Sequence, residues 1–229
     1  MKAIILTDDT KSQLPSHNKW TNRFGIGSGI VKNPSICYLV KTENIKFPTN
    51  DIENEGIYKK KLQEYIRPAE NMFGGRYSEI RYFENQLKKI LSVEVLIISG
   101  RYGLITGDTE IIPYNHSIST ITQLKDFDVK NKLIENLKNK LSEPGYLIIL
   151  LPKFFIEFFI RYRLFEDIPN ESKIFIVSSK GFVDTLQKYE NITIFERKGV
   201  SRLRNQNCEE MLTIIKRTFE INKNQERIK

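Results

Sequence analysis

The sequence predicts an α/β protein: a mostly parallel central sheet with helices on both faces. Three observations predict it. Six short apolar runs, rich in β-branched residues, are spread along the 229 residues. Most are separated by stretches of helical period, and strand–helix alternation is the pattern of a layered α/β sheet. The run Val93–Ser99 also stops abruptly at Ser99-Gly100 and gives way to polar and aromatic residues. A buried parallel strand that delivers its end to a ligand reads this way, because ligands in such sheets sit outside the carboxyl ends of the strands.

The six strands are expected at Lys2–Thr7, Ile36–Lys41, Val93–Ser99, Tyr146–Leu151, Lys173–Ser178 and Ile192–Glu196. From Arg76 to Leu91, Tyr77, Ile80, Phe83, Leu87, Ile90 and Leu91 fall at three- and four-residue steps, which predicts a helix with one apolar face. Leu124–Leu141 carries a similar face through Leu133, Leu137 and Leu141. Pro152 suits the first turn of a helix running through Phe154, Phe155, Phe158 and Phe159. Gly181–Tyr189 and Asn207–Phe219 complete the helices. Pro15–Pro34 and Thr42–Glu55 show no clean period and are expected to be long, irregular connections of the kind that carry function or disorder. One α/β domain is expected over residues 1–221, with a frayed basic tail over 222–229.

A hydrophobic fraction of 40% and a charged fraction of 28% are ordinary for a soluble globular chain. No apolar run approaches the roughly 20 residues that span a bilayer, so no membrane partner is expected. The first strand begins at once, without a small-residue cleavage site, which argues against a signal peptide and for the cytoplasm. Cys37 and Cys208 lack metal-ligand spacing, and with His17 and His116 as the only histidines no metal and no cofactor is expected. The net charge is +8, which favours nucleic acid or a nucleotide as partner, although a lysine-rich surface also serves solubility alone. Arg197–Lys229 holds nine basic and four acidic residues, hence a surplus of five. No motif speaks to the oligomeric state.

Candidate site residues cluster at expected strand ends. Asp8 and Asp9 close the first strand, where carboxylates act as general bases, activate water or stabilise an oxocarbenium ion; Asp also caps helices and forms turns. Gly75 and Arg76, in Phe73-Gly74-Gly75-Arg76-Tyr77, open a helix whose free N–H groups and added positive charge suit a phosphate or carboxylate, or else form a plain turn. Ser179 follows the fifth strand as an anion contact or a simple N-cap. Arg197, Lys198, Arg202 and Arg204 form the densest basic patch, around Gly199, and fit a phosphate backbone or an exposed loop. Phe24-Gly25-Ile26-Gly27-Ser28-Gly29 matches neither the dinucleotide nor the Walker pattern and reads as a flexible turn. His116 lies where an acid–base group would serve the site at Ser99, but a lone histidine is more often merely exposed. Hydrolase triads and zinc-peptidase motifs are absent.

Ile97-Ile98-Ser99-Gly100-Arg101-Tyr102-Gly103-Leu104-Ile105, followed by Asp108 and Ile112-Pro113-Tyr114-Asn115, carries a family resemblance. It resembles a small-domain family of unknown function related to the peroxide-stress protein YaaA. That signature is an apolar strand, Ser-Ala-(Lys/Arg)-Tyr-Gly-Leu, a short acidic loop and Pro-Tyr-Asp. Related Tyr-Gly-Leu segments occur in the core domain of archaeosine synthase, within the uracil-DNA-glycosylase-like superfamily. Gly100 stands where the signature has alanine, and Asn115 where it has aspartate. Thr7-Asp8-Asp9-Thr10-Lys11 is loosely similar to the Ser-Pro-Ala-Lys-Thr turn after the first strand of YaaA.

The resemblance implies a uracil-DNA-glycosylase-like sheet with a nucleobase or nucleic-acid pocket at the strand ends. In that picture Tyr102 stacks on a base, Arg101 binds phosphate or a base edge, and Ser99 and Asn115 hydrogen-bond the base. Asp108 and Tyr114 complete the ligand contacts, while Asp8 or Asp9 assists N-glycosidic cleavage or base exchange. The structural alternative has Gly103 permitting a turn, Tyr102 packing beneath it and Arg101 pairing with Asp108. The function expected is that of a protein acting on nucleic acid or a nucleoside, glycosylase-like or base-modifying. A non-catalytic nucleic-acid-binding protein and a nucleotide-sensing stress-response module are the alternatives.

Overall fold

The computed structural model describes residues 2–14, 29–75, 77–142, 144–178, 183–197 and 203–226. The elements in chain order are β1 (Lys2–Asp8), α1 (Pro34–Thr42), α2 (Glu55–Lys61), β2 (Arg67–Pro68), α3 (Ala69–Met72), α4 (Tyr77–Leu87), β3 (Ser92–Ser99), β4 (Gly103–Thr106) and β5 (Glu110–Ile111). They continue as α5 (Ile121–Asn131), α6 (Leu133–Lys140), β6 (Tyr146–Leu150), α7 (Lys153–Arg161), β7 (Lys173–Ser178), α8 (Val183–Leu186), β8 (Ile192–Glu196) and α9 (Asn205–Glu226). Six strands form one mostly parallel sheet in the order β4-β3-β1-β6-β7-β8, and β2 pairs with β5 in a separate two-stranded ribbon. The protein is therefore α/β.

Five of the six expected strands lie where the apolar runs put them. Ile36–Lys41 does not: it is the body of α1. Asn33 accepts a hydrogen bond from the Ile36 backbone N–H through its side chain (2.9 Å), and Pro34 occupies the first helical turn. This Asn-Pro start outweighs the β-branched content of the run. Only Ile36 of the helix is buried, whereas a parallel strand would hide every residue.

The expected helix Leu124–Leu141 is two helices. Lys132 breaks it in the left-handed conformation (φ 51°), and Asp128 caps the second helix by accepting from the Ile134 backbone N–H at 2.8 Å. A strand not foreseen, β4, folds back antiparallel on β3, pairing Ser99 with Gly103 and Leu96 with Thr106. The three residues between them are Gly100-Arg101-Tyr102. Gly103 closes this tight loop at φ +81°, a conformation that penalises any side chain. α9 carries helical backbone into the 222–226 stretch expected to be tail.

The chain divides into two compact units. The first comprises Met1–Leu6, Glu79–Glu94 and Lys140–Lys229. Within it β6, β7 and β8 run parallel, with Ile149 beside Ile176 and Ile176 beside Ile194. Every residue of β6 is buried, as the continuous apolar run requires. α7 buries Phe155, Ile156, Phe158 and Phe159, and Phe175 meets Phe195 edge to face at 5.5 Å. The Leu203 backbone N–H donates to Glu79 at 2.7 Å. The second unit comprises Thr7–Ser78 and Val95–Asn139. It holds the end of β1, the β3–β4 hairpin, α1–α3, the β2–β5 ribbon and α5. Its small core gathers Tyr58, Leu62 and Ile112, with Leu39, Ile45, Tyr65, Ile66 and Tyr102 packed against them.

Among the described residues, no helix is long and apolar enough to cross a membrane. Among them, too, no group of three or more His, Cys, Asp or Glu side chains is placed to hold a metal ion.

Candidate ligand cavity at the end of the third strand

Among the described residues of the second unit, one cavity opens at the loop after β3, and an adjoining one reaches Lys11 and Gln13 of the loop after β1. Their character follows from what the hairpin buries and what it leaves open.

Arg101 is the centre of the closed part. Its side chain is wholly buried (0% exposed) and lies between two carboxylates. Nη1 donates to Asp51 Oδ1 at 2.8 Å and to the Thr49 carbonyl at 2.6 Å; Nη2 donates to Glu55 Oε2 at 2.8 Å, and Nε reaches the same oxygen at 3.2 Å. The guanidinium also lies 5.4 Å from the Tyr58 ring centre and 5.5 Å from that of Tyr102. All of its geometry is spent on the protein. Its guanidinium donors are thus engaged by the protein, and its carboxylate partners are Asp51 and Glu55 and not Asp108. Asp108 is an exposed turn residue that accepts from the Thr106 hydroxyl.

Tyrosine–carboxylate pairs organise the same region. Tyr58 donates to Asp51 Oδ2 (2.7 Å), Tyr102 to Glu55 Oε1 (2.8 Å) and Tyr114 to Asp9 Oδ2 (2.7 Å). Burial, together with the neighbouring carboxylates, pushes the Tyr58 phenol up to about 12 and the Tyr102 phenol higher still. Burial and the charge on Asp9 likewise hold Tyr114 well above the usual phenol range. Asp51 is shifted the other way. Desolvation acts to raise it, but hydrogen bonds from Tyr58, the Thr49 backbone and Arg101 together hold it well below the usual carboxylate range.

Asp9 is 5% exposed and accepts from the Gly100 backbone N–H at 2.8 Å as well as from Tyr114. Because the Tyr114 proton goes to Asp9, the 2.8 Å contact between Ser99 Oγ and Tyr114 Oη has Ser99 as donor. Ser99 Oγ in turn accepts from the Tyr102 N–H at 3.0 Å and the Arg101 N–H at 3.3 Å. Ser99, Tyr114 and Asp9 thus form a buried chain that locks the hairpin loop to the end of β1. Asp8, also buried, closes β1 beside it. Neither aspartate lines either cavity, and neither does Ser99.

The open part begins at Gly100. A cavity of about 400 Å³ is bounded by Gly100, Arg101 and Tyr102 from the hairpin, Asn50 and Ile52 from the preceding loop, His116 and Ile118, and one face of α5. That face presents Gln123, Asp126, Phe127, Lys130 and Asn131, spaced by three and four residues as one side of a helix must be. Thr120 starts α5 by accepting from the Gln123 N–H. Partial burial, and then the charge of Lys130, lower the His116 pKa, which favours the neutral imidazole. A second cavity of about 260 Å³ shares His116 and Gln123 with the first and is otherwise lined by Lys11, Gln13, Tyr114, Asn115, Ser117 and Ser119.

Gly100 makes this layout possible. A methyl group at that position would meet both the His116 imidazole and the Ser117 Cα at 3.0 Å. The glycine that departs from the resembling signature is what lets the His116–Ser117 segment pass so close.

The residues singled out from sequence thus divide. Tyr102 lines the larger cavity, though its hydroxyl is committed, and Tyr114 and Asn115 line the smaller one. Gly75 belongs to the turn before α4, at φ +60°, and lines neither. Arg197 and Arg204 belong to the first unit. The Arg197 N–H donates to the Ser178 carbonyl (2.7 Å), and Arg204 is exposed. Arg76, Ser179, Lys198 and Arg202, with His17 and Phe24–Ser28 of the glycine-rich stretch, lie outside the described residues. The α5 face was missed. Its signal was a helical stripe of amide and charged residues around Phe127, overlooked beside the apolar stripe of Leu133, Leu137 and Leu141. No protein-family model matches this chain, and no curated protein sequence matches it.

Proposed function

We propose that the protein acts on a nucleoside or nucleotide held in the cavity at the end of β3, within a uracil-DNA-glycosylase-like arrangement that has helices on both faces of the sheet. One observation carries the reading: the larger cavity pairs aromatic and aliphatic walls (Tyr102, Phe127, Ile52, Ile118) with a rim of amides and an imidazole (Asn50, Gln123, Asn131, His116). Such a lining suits a flat heteroaromatic ring with hydrogen-bonding edges, and about 400 Å³ lies in the range of small-ligand sites. The net charge of +8 adds attraction for a phosphorylated partner. Inside the cavity, Asp126 and His116 are the groups suited to acid–base work on an N-glycosidic bond. The role of Asp9 in this reading is to hold the hairpin.

Calorimetric titration of the full chain with a panel of purine and pyrimidine nucleosides tests the reading, with base release followed by chromatography. Binding that is lost in Asn131→Asp and in Phe127→Ala is the expected result. If no nucleoside or nucleotide binds at millimolar concentration, the reading fails. If binding occurs without base release, the protein is a binder, as the sensing alternative requires.

A further inference from the structure

Resting on that reading, we infer that the two cavities are one bipartite site for a nucleoside monophosphate, with the base in the larger cavity and the phosphate in the smaller. The cavities share His116 and Gln123 in their linings, so they adjoin at these two side chains, and the inferred ligand bridges them there. Their chemistry differs in the way the two halves of a nucleotide differ. The larger has Phe127, Tyr102 and two isoleucines in its wall. The smaller is lined by polar residues and the phenol of Tyr114, and among the described residues its lining includes Lys11 as a cation and no acidic residue.

The donors of the smaller cavity suit an anion. Gln13 is committed at both ends of its amide, donating to the Tyr114 carbonyl at 2.7 Å and accepting from the Tyr114 N–H at 2.9 Å. The Tyr114 hydroxyl is spent on Asp9. The phosphate contacts therefore fall to the Lys11 ammonium, the Ser117 and Ser119 hydroxyls and the Asn115 amide. A lysine with short hydroxyls and an amide, free of carboxylates, favours a dianion by charge-assisted hydrogen bonds. Asp126, the one carboxylate lining the larger cavity among the described residues, lies on α5 and does not line the smaller. That leaves the acid on the side of the base and sugar. Asn115, which stands where the resembling signature has aspartate, is consistent with this division, since a carboxylate there would repel phosphate.

The test is calorimetric titration of the full chain with matched nucleosides and their 5′-monophosphates, and with a short single-stranded oligonucleotide. The monophosphate is expected to bind about ten-fold tighter or more than its nucleoside, as a charge-assisted contact provides. Lys11→Ala is expected to abolish that increment while leaving nucleoside affinity unchanged, and Ser119→Ala to reduce it. Inorganic phosphate is expected to compete with the monophosphate but not with the nucleoside. If nucleosides bind and the phosphate adds nothing, the bipartite site is wrong while the nucleoside reading stands. If neither binds, both fall. If the oligonucleotide binds far more tightly than the mononucleotide, the occupant is a strand and the mononucleotide assignment is overturned. Should Lys11→Ala fold poorly by circular dichroism, Lys11→Gln with the same nucleoside-to-nucleotide comparison decides the matter.

Discussion

The setting of Arg101 and the face of α5 lie in the same unit and use similar residue types, yet they do opposite things. Around Arg101, cation, carboxylates and phenols are paired off at 2.7–3.2 Å, with the guanidinium wholly buried and its carboxylates partly so. On α5, Asp126 and Lys130 are exposed at a cavity rim, and Gln123, also exposed, commits only its Oε1, which accepts from the Ser119 N–H at 2.8 Å. The difference teaches that charge and aromaticity mark a ligand site only where the protein has left them unspent. The chemistry at Arg101 builds the wall; the chemistry on α5 faces what the wall encloses.

The largest effect should come from breaking the closed side. Arg101→Ala removes a wholly buried cation and leaves the partly buried Asp51 and Glu55 without it, and it is expected to cost about 3–5 kcal/mol in denaturant unfolding. A loss below about 1 kcal/mol would mean the pairing is incidental. The same carboxylates set a pH signature. Asp51 titrates below its ordinary value near 3.8 in the folded chain, so the unfolded chain takes up that proton first. Its stabilisation is fully present above the unfolded pKa and is withdrawn as pH falls from there toward the folded value. Stability measured across that acid window should fall less steeply in Asp51→Asn than in the parent chain.

Tyr114→Phe comes next. It removes the hydroxyl shared by Ser99 and Asp9 and leaves a buried carboxylate one donor short, a loss of about 1–3 kcal/mol by chemical denaturation. Gly100→Ala should lie at the lower end of about 1–3 kcal/mol, because the His116 ring can swing aside but the Ser117 backbone must shift. Its clearer readout is the imidazole resonance of His116, which should move by NMR if the close approach is real. The smallest stability effect belongs to the open side: Lys130→Ala should change unfolding by no more than about 0.5 kcal/mol. A destabilisation as large as that of Arg101→Ala would erase the contrast between the two regions.

Much of the fold was legible because burial writes itself into composition. β6 and β7, and the inner parts of β1 and β3, are continuous apolar runs, as strands covered on both faces require. β8, at the sheet edge, is legible from its short Ile-Thr-Ile-Phe run although only Phe195 is buried. α1 was misread because Ile36, Tyr38, Leu39 and Val40 look like a strand when the Asn33-Pro34 start is overlooked. β4 was invisible because four residues beginning with a glycine carry too little pattern. The candidate site was legible as a place and not as a set of roles. Ser99, Arg101 and Tyr114 do stand at the strand end. Their partners Asp51, Glu55 and Asp9 lie 46 to 105 residues away, and only the folded chain shows that they consume those side chains. By contrast, the α5 face obeys a spacing within one helix and is recoverable from sequence once Thr120 is recognised as its cap.

The raised phenols of Tyr58, Tyr102 and Tyr114 give the closed region an optical signature. A tyrosine in an unfolded chain is half ionised near pH 10 and then absorbs strongly in the near ultraviolet. These three of the ten tyrosines stay protonated at that pH while the unit is folded. Their stabilisation is complete below pH 10 and is lost as the solution grows more alkaline, because the unfolded chain releases those protons first. Tyrosinate absorbance from this cluster should therefore rise together with loss of structure, so that alkaline unfolding reports on the wall of the cavity without any added label.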